Sequence, residues 1–370
     1  MTGMTTWMDT AITNLLGLRI PIVLGPFGGA SSVELTAAVS NAGGLGSYGV
    51  FGYTGEQIRA TAAQMRGRTE RPFALNLWLP HDGSAEVQPD AAAFRRMLEP
   101  LLPYYEELGI EPPTTPPDQY LPSFEEQIEA VYDARPAVLS FVYGVPDPEV
   151  VEGCRSLGIA TVGTATTVEE AVALAEGGVD AVVATGTEAA GHRVSFLRPA
   201  EDSLVGTFSL VPQVADALSG YGLPVIAAGG VADGRGVAAA LALGADAVQV
   251  GSAFLACEES AAAPVQRELM FTERGQRTVL TRAFTGRLAR GIPNRFTTEA
   301  QSDQRESAPF PVQSRLAGPI RAEAKRRGDV ELMSLWAGQS TPLLRHRHAA
   351  DVIESLVQGA GEQLGTGVSP

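Results

Sequence analysis

The stretch Pro224-Val-Ile-Ala-Ala-Gly-Gly-Val-Ala-Asp-Gly234 is followed closely by Gly244-Ala-Asp-Ala-Val-Gln-Val-Gly-Ser-Ala-Phe254. Each is a short apolar run ending in glycine, and each leads into a helical pattern. Glycine lets backbone come close to a ligand, and free N–H groups at the start of a helix attract an anion. Taken singly, such a loop is equally a tight strand-to-helix turn. Two in tandem, late in the chain, match the place where a TIM barrel grips phosphate, after its seventh and eighth strands. Gly229, Gly230, Gly251 and Ser252 are therefore the candidate phosphate contacts.

Working outward, short β-branched runs alternate with Ala-rich helical stretches, the pattern of βα units and a parallel sheet. Strands are expected near Pro21–Leu24, Leu45–Val50, Phe73–Trp78, Ala137–Val142, Ala160–Val162, Ala181–Ala184, Val225–Ala228 and Ala247–Val250. Helices fall between them, for example Ser32–Asn41, Val168–Glu176 and Gly236–Leu243, the last with Asp233 as its cap. The expected fold is an α/β TIM (β/α)8 barrel, a single domain over residues 1–370.

Two stretches break the repeat. Residues 80–135 are too long for one connection and carry Pro112, Pro113, Pro116, Pro117 and Pro122 between helical patterns at Ala91–Leu108 and Phe124–Asp133. An insertion of this length reads as a lid or cap. Residues 282–347 are rich in Arg, Pro and Gln and lack strand alternation, so they are expected to pack as an extension over the barrel mouth. The arginines Arg282, Arg287, Arg290 and Arg295 read as surface or helix-capping groups, one of which could face the site and attract an anion. An amphipathic helix over Ala349–Glu362 closes the chain, and the tail from Gly365 to Pro370 is expected to be disordered.

The chain of 370 residues has a formal charge of −15, which argues against nucleic acid or an anionic membrane as partner. It does not exclude a small anionic ligand, because a local site can be positive on an acidic protein. No apolar run approaches the roughly 20 residues that span a bilayer. Met1–Thr10 lacks the basic-then-apolar order of a signal peptide. Cys154 and Cys257 lie far apart with no CxxC, so both are expected to be reduced, in a cytoplasmic protein. Oligomerisation is left open.

The most chemical segment is Ala184-Thr-Gly-Thr-Glu-Ala-Ala-Gly-His-Arg193, directly after strand six. Of the histidines at 81, 192, 346 and 348, only His192 sits in a small-residue loop, including Gly191, that can fold closely around a ligand. Histidine suits proton transfer near neutral pH; the bland alternative is a helix cap or a carbonyl partner. Glu188 either orients this loop, holds His192, or is a solvated acid. Asn76 is a polar amide inside the apolar strand Phe73-Ala-Leu-Asn-Leu-Trp78 and needs partners, from a flavin ring edge or from neighbouring backbone. Gly25-Pro-Phe-Gly-Gly29 ends strand one. Its glycines let a flat ring lie against Pro26, Phe27 and Gly28, although Phe27 could merely fill the barrel mouth.

Gly43-Gly-Leu-Gly46 is not a dinucleotide fingerprint, because it follows a helix and precedes a strand. His346-Arg-His348 has no carboxylate or cysteine at ligand spacing, so no metal site is expected.

On these motifs the chain resembles the nitronate monooxygenases, or 2-nitropropane dioxygenase-like flavoproteins, from about Leu18 to about Leu344. The resemblance rests on Gly25-Pro-Phe-Gly-Gly29, Asn76, Glu188-Ala-Ala-Gly-His192, Ala227-Ala-Gly-Gly230, Gln249-Val-Gly-Ser-Ala-Phe254, Thr281-Arg-Ala-Phe-Thr-Gly286 and Trp336-Ala-Gly-Gln339. It implies a barrel carrying non-covalent FMN and oxidising alkyl nitronates with O2 to a carbonyl compound and nitrite, through a flavin semiquinone and without a nicotinamide requirement. The family histidine maps to His192, the phosphate grip to Gly229, Gly230, Gly251 and Ser252, and a flavin-facing polar residue to Asn76. Ala190 and Val194 replace two glycines common in family loops, and Phe27 stands where many relatives carry Met. Competing readings are a flavin-dependent enoyl thioester reductase using NAD(P)H, a flavin-free lyase or isomerase on a phosphorylated substrate, and a non-catalytic flavin-binding protein.

Overall fold

The computed structural model describes residues 7–80, 87–302 and 306–365. The tail expected to be disordered, from residue 366 onward, and His81 lie outside them. Eight parallel strands form the central sheet: β1 (Ile22–Leu24), β2 (Gly46–Gly49), β3 (Phe73–Trp78), β4 (Val138–Val142), β5 (Ala160–Ala165), β6 (Ala181–Thr185), β8 (Val225–Ala228) and β9 (Ala247–Val250). A two-residue strand, β7 (Gly191–His192), lies outside this sheet. The spatial order is β1-β9-β8-β6-β5-β4-β3-β2. A parallel bridge between Val23 and Leu45 joins the two end strands and closes the barrel. All eight expected barrel strands are present, as the TIM-barrel reading requires.

Side-chain alternation divides the barrel interior into two floors. Successive residues of a strand point to opposite faces, so positions two apart share the interior. Ala74, Val138, Val162, Val183 and Ala247 form an apolar lower layer, plugged from below by Ile12 and Leu16 of the N-terminal helix Ala11–Leu16. Two residues further along each strand stand Asn76, Ser140, Thr164, Thr185 and Gln249, and all five face a cavity at the C-terminal end of the barrel. The lower floor supplies hydrophobic stability and the upper floor supplies hydrogen-bonding groups.

The irregular segments resolve on this frame. Helix Phe124–Ala134, within the long insertion, packs on Gly55–Arg66 and is the helix that the βα repeat demands between β3 and β4. The expected helix Ala91–Leu108 is broken: Ala91–Leu98 and Leu102–Leu108 are joined by a 3-10 turn, because Pro100 and Pro103 cannot donate to the helical ladder. Tyr104 and Tyr105 of the second piece are buried, and the Tyr105 hydroxyl donates to Leu316 O at 2.6 Å. Leu316 belongs to helix Val312–Arg327, whose opposite side lines the cavity. No described residue of the 80–135 insertion lines the cavity, so the expectation of a lid lying directly over it is not met; the segment instead backs the helix that does line it.

The closing helix Ala349–Gln363 packs on Gly234–Ala242, where Gly234 lies against Gly359 and Ala360 with no room for a Cβ. It is thus the last helix of the barrel, and the extension is threaded between β9 and that helix. The extension, whose sequence lacks strand alternation, nevertheless contains a strand, paired with one just before it. β10 (Val279–Thr281) and β11 (Ala289–Gly291) form an antiparallel hairpin, and β11 also pairs with β7. No described helix is long and apolar enough to cross a membrane. Cys154 and Cys257 are both free and buried, and burial pushes the Cys154 thiol up to about 12.

Candidate active site

A cavity of about 570 Å3 opens at the C-terminal end of the barrel. It is within the size range of small-molecule and cofactor pockets. Pro26, Phe27, Gly28, Asn76, Glu188, Gly191, His192, Gly229, Gly230, Gly251 and Ser252 all line it. The sequence signal was therefore spatially coherent, although individual residues do different things from those expected.

Gly230 has φ +75, and a Cβ there would meet only the Glu188 Cβ, at 3.9 Å. A Cβ on Gly251 would meet only Phe27 Cε1, at 4.0 Å. Both glycines thus leave a cradle that side chains would fill. Gly229 differs. Its φ is +100, and a Cβ would strike Thr207 Oγ1 at 2.8 Å, so glycine is required there for packing of the loops after β6 and β8. Ser252 opens the short helix Ser252–Leu255, and its hydroxyl oxygen accepts the Gly338 amide at 2.8 Å. The donor set suits an anion: backbone amides at a glycine-rich turn with a serine hydroxyl, and the neighbouring Glu188 carboxylate paired with Thr207.

Glu188 does not hold His192. Its carboxylate accepts from Thr207 N at 2.9 and 3.0 Å and from Thr207 Oγ1 at 2.9 Å. It caps the helix Thr207–Leu218 from outside and so orients the β6 loop. Asn76 donates its amide nitrogen to Ser140 O at 3.2 Å and Ser140 Oγ at 3.0 Å. Its amide oxygen has no protein donor among the described residues.

His192 is set by its surroundings. Its Nε2 lies 2.9 Å from Thr285 Oγ1. The indoles of Trp78 and Trp336 stand with ring centroids 5.0 and 5.4 Å from the imidazole. Burial, with the Arg287 and Arg321 guanidiniums nearby, pushes its pKa down to about 3, so the ring is neutral at physiological pH. Arg287 is stacked between Tyr143 and Phe310, at 3.8 and 4.0 Å from the ring centroids. Tyr143 follows β4 at φ +70, a strained conformation for an aromatic residue.

The arginine expectation is half corrected. Arg282 pairs with Glu201 and Arg295 with Glu107 at the surface, as expected. Arg287 and Arg290 are buried, and Arg290 donates to Thr187 O at 2.8 Å. None of the four lines the cavity; Arg321 does. Its Nε is buried without a protein partner among the described residues, and burial pushes its pKa down to about 10. Sequence reading missed Arg321 and Thr285. It also missed Arg193, whose buried guanidinium donates to Thr185 O, Gly186 O and Ser203 O and stiffens the β6 loop. Among the described residues no group of three or more His, Cys, Asp or Glu could hold a metal ion.

Comparison with known proteins agrees with this architecture. Residues 9–359 match the family model described as nitronate monooxygenase. The chain is 40% identical over 354 residues to nitronate monooxygenase of Pseudomonas aeruginosa, covering 95% of this chain and 99% of that one. It is 37% identical over 350 residues to a probable nitronate monooxygenase of Staphylococcus aureus, covering 94% and 96%. The structure of nitroalkane oxidase from Streptomyces ansochromogenes is similar with a TM-score of 0.87, at 37% identity, over 96% of this chain and 99% of that one. FabK from Thermotoga maritima is similar with a TM-score of 0.74, at 29% identity, over 96% and 97%. Matched nearly end to end, and with a histidine-bearing cavity at the mouth of its barrel, the chain belongs to the nitronate monooxygenase family of flavin-dependent oxidoreductases.

Proposed function

We propose that this enzyme binds FMN and oxidises alkyl nitronates with O2 to a carbonyl compound and nitrite. The supporting observation is a single cavity that joins a glycine cradle to a neutral histidine flanked by guanidinium groups. Gly230, Gly251 and Ser252 would hold the phosphate, and Gly25–Gly29 with Asn76 would face the ring. When bound, the flavin supplies the electron acceptor that the side chains lack.

The chain's own residues would bind and orient the substrate. Arg321 supplies positive potential toward an anion without a carboxylate to cancel it. His192, being neutral, accepts a hydrogen bond or a proton. A neutral nitroalkane must lose its α-proton before oxidation, whereas a nitronate has already lost it. An imidazolium beside two guanidiniums is disfavoured. The same surroundings that keep His192 deprotonated therefore make it a weak base, and the pre-ionised nitronate is the preferred form.

Two measurements test this. Denaturing the yellow holoenzyme should release FMN, and anaerobic addition of an alkyl nitronate should change its visible spectrum. Release of FAD, or bleaching by NADH with no response to nitronate, overturns the reading. His192→Asn should lower any nitroalkane activity by about 10²-fold, the low end of general-base catalysis for so weak a base, and nitronate activity far less. Equal losses on both forms would make the role of His192 positional instead.

A further inference from the structure

His192 is held at two points by the same piece of the extension. Its backbone pairs with Ala289 of β11, and the next residue's amide, Arg193 N, donates to Leu288 O at 2.8 Å. Its side chain meets Thr285, in the turn between β10 and β11, through Nε2 at 2.9 Å. Thr285 is buried, only 5% exposed.

The Thr285 hydroxyl has one proton and two lone pairs. Three polar neighbours compete for them: His192 Nε2 at 2.9 Å, Arg287 O at 3.3 Å and Arg287 N–H at 3.3 Å. Arg287 N–H can only donate, so it takes one lone pair. If the hydroxyl proton goes to Nε2, the Arg287 carbonyl loses this donor. If the proton goes to the Arg287 carbonyl, Nε2–H fills the second lone pair, and every neighbour is satisfied. The second arrangement makes one more hydrogen bond around a buried hydroxyl.

We infer that Thr285 is a positioning residue that accepts a hydrogen bond from Nε2–H of His192 and thereby leaves Nδ1 as the unprotonated nitrogen for the substrate. Among the described residues Nδ1 has no protein partner, which is consistent with its serving the cavity. Thr285 fixes both the rotation of the ring and its tautomer. The inference rests on the reading of His192 as the proton acceptor, but its first readout, the tautomer, is independent of turnover.

Nitrogen-15 NMR of histidine-labelled holoenzyme, assigned by comparison with His192→Asn, reads which ring nitrogen carries the proton. Wild type should show a single Nε2–H tautomer of His192. Thr285→Ser, which keeps the hydroxyl, should show the same. Thr285→Val, which keeps the shape, should show a mixture and lose about tenfold or more in kcat on a neutral nitroalkane, with KM little changed. An Nδ1–H tautomer in wild type overturns the inference without any variant. So does a Thr285→Val enzyme with the wild-type tautomer and rate, or equal losses in the Ser and Val variants. If instead His192→Asn retains full activity while the tautomer behaves as expected, the proton-acceptor reading fails and the positioning by Thr285 stands.

Discussion

Gly338 gives its amide proton to the Ser252 hydroxyl oxygen at 2.8 Å, and the next amide, Gln339 N, goes to Glu188 O at 3.0 Å. One turn of the extension is thereby stitched to the loop after β9 and to the loop after β6. A Cβ on Gly338 would lie 2.8 Å from Glu188 O and 3.2 Å from Ser252 Oγ. Gly338→Ala should therefore push these loops apart, at the roughly 1–3 kcal/mol typical of overpacking. The expected outcome is flavin affinity weakened by about tenfold or more, measured by titrating apoprotein with FMN and following flavin fluorescence. Unaltered affinity would show that the stitch does not shape the cradle.

The two glycine loops call for different variants. Gly251 has a negative φ of −104, and a Cβ there would meet only Phe27 Cε1 at 4.0 Å, so Gly251→Asp tests charge at the cradle without a steric clash at Cβ. It should weaken FMN binding by like-charge repulsion while the thermal unfolding of the apoprotein stays close to wild type. Gly229→Asp should instead destabilise the apoprotein itself, because of its φ of +100 and the 2.8 Å approach to Thr207 Oγ1. Differential scanning calorimetry of both apoproteins separates the two outcomes.

Arg321→Gln removes the guanidinium that lines the cavity while keeping a polar side chain. Hydrogen bonds to charged groups are worth about 1.5–3 kcal/mol, so kcat/KM for a nitronate should fall by about 10- to 100-fold. A neutral nitroalkane should lose much less. Steady-state kinetics on the two protonation states of one compound checks this, and equal losses would remove Arg321 from the recognition of charge.

The depressed His192 pKa has a consequence for stability. The unfolded chain takes up a proton at this residue near its ordinary value of 6.5, whereas the folded chain does so only near 3. Between these limits the unfolded state binds more protons. The contribution to stability is thus complete above pH 6.5 and is lost as pH falls toward 3, by about 1.4 kcal/mol per pH unit. At about pH 5, His192→Asn should gain on wild type by about 2 kcal/mol relative to the difference at about pH 7.5. Urea denaturation of the two apoproteins at both pH values measures it.

Much of this was open to reading in the sequence because parallel strands buried on both faces are mostly apolar, as Ile22–Leu24, Ala181–Ala184 and Val225–Ala228 are. Asn76 was conspicuous as a polar residue among large apolar ones. Ser140 and Gln249, each between large apolar residues, carry the same signal two positions beyond an apolar inward residue, whereas Thr164 and Thr185 are less conspicuous beside glycine and alanine. The strand Ala289-Arg290-Gly291 was not legible, because three residues offer no alternation and its partners are remote in sequence. Arg287 was misread for a related reason: its burial depends on Tyr143 and Phe310, which only the fold brings beside it. Arg321 sits on a helix as charged as any surface helix, and nothing local marks the side that meets the cavity.

The hairpin that seats His192 at both backbone and ring comes after the last barrel strand in chain order. During synthesis, every barrel strand and both glycine loops leave the ribosome before Thr285 does. The chain up to that point carries the glycine loops but neither the stitch at Gly338 nor a seat for the imidazole of His192. The seat of His192 is thus complete only once the extension has folded back over the barrel, which makes the last-made part of the chain the part that fixes the imidazole.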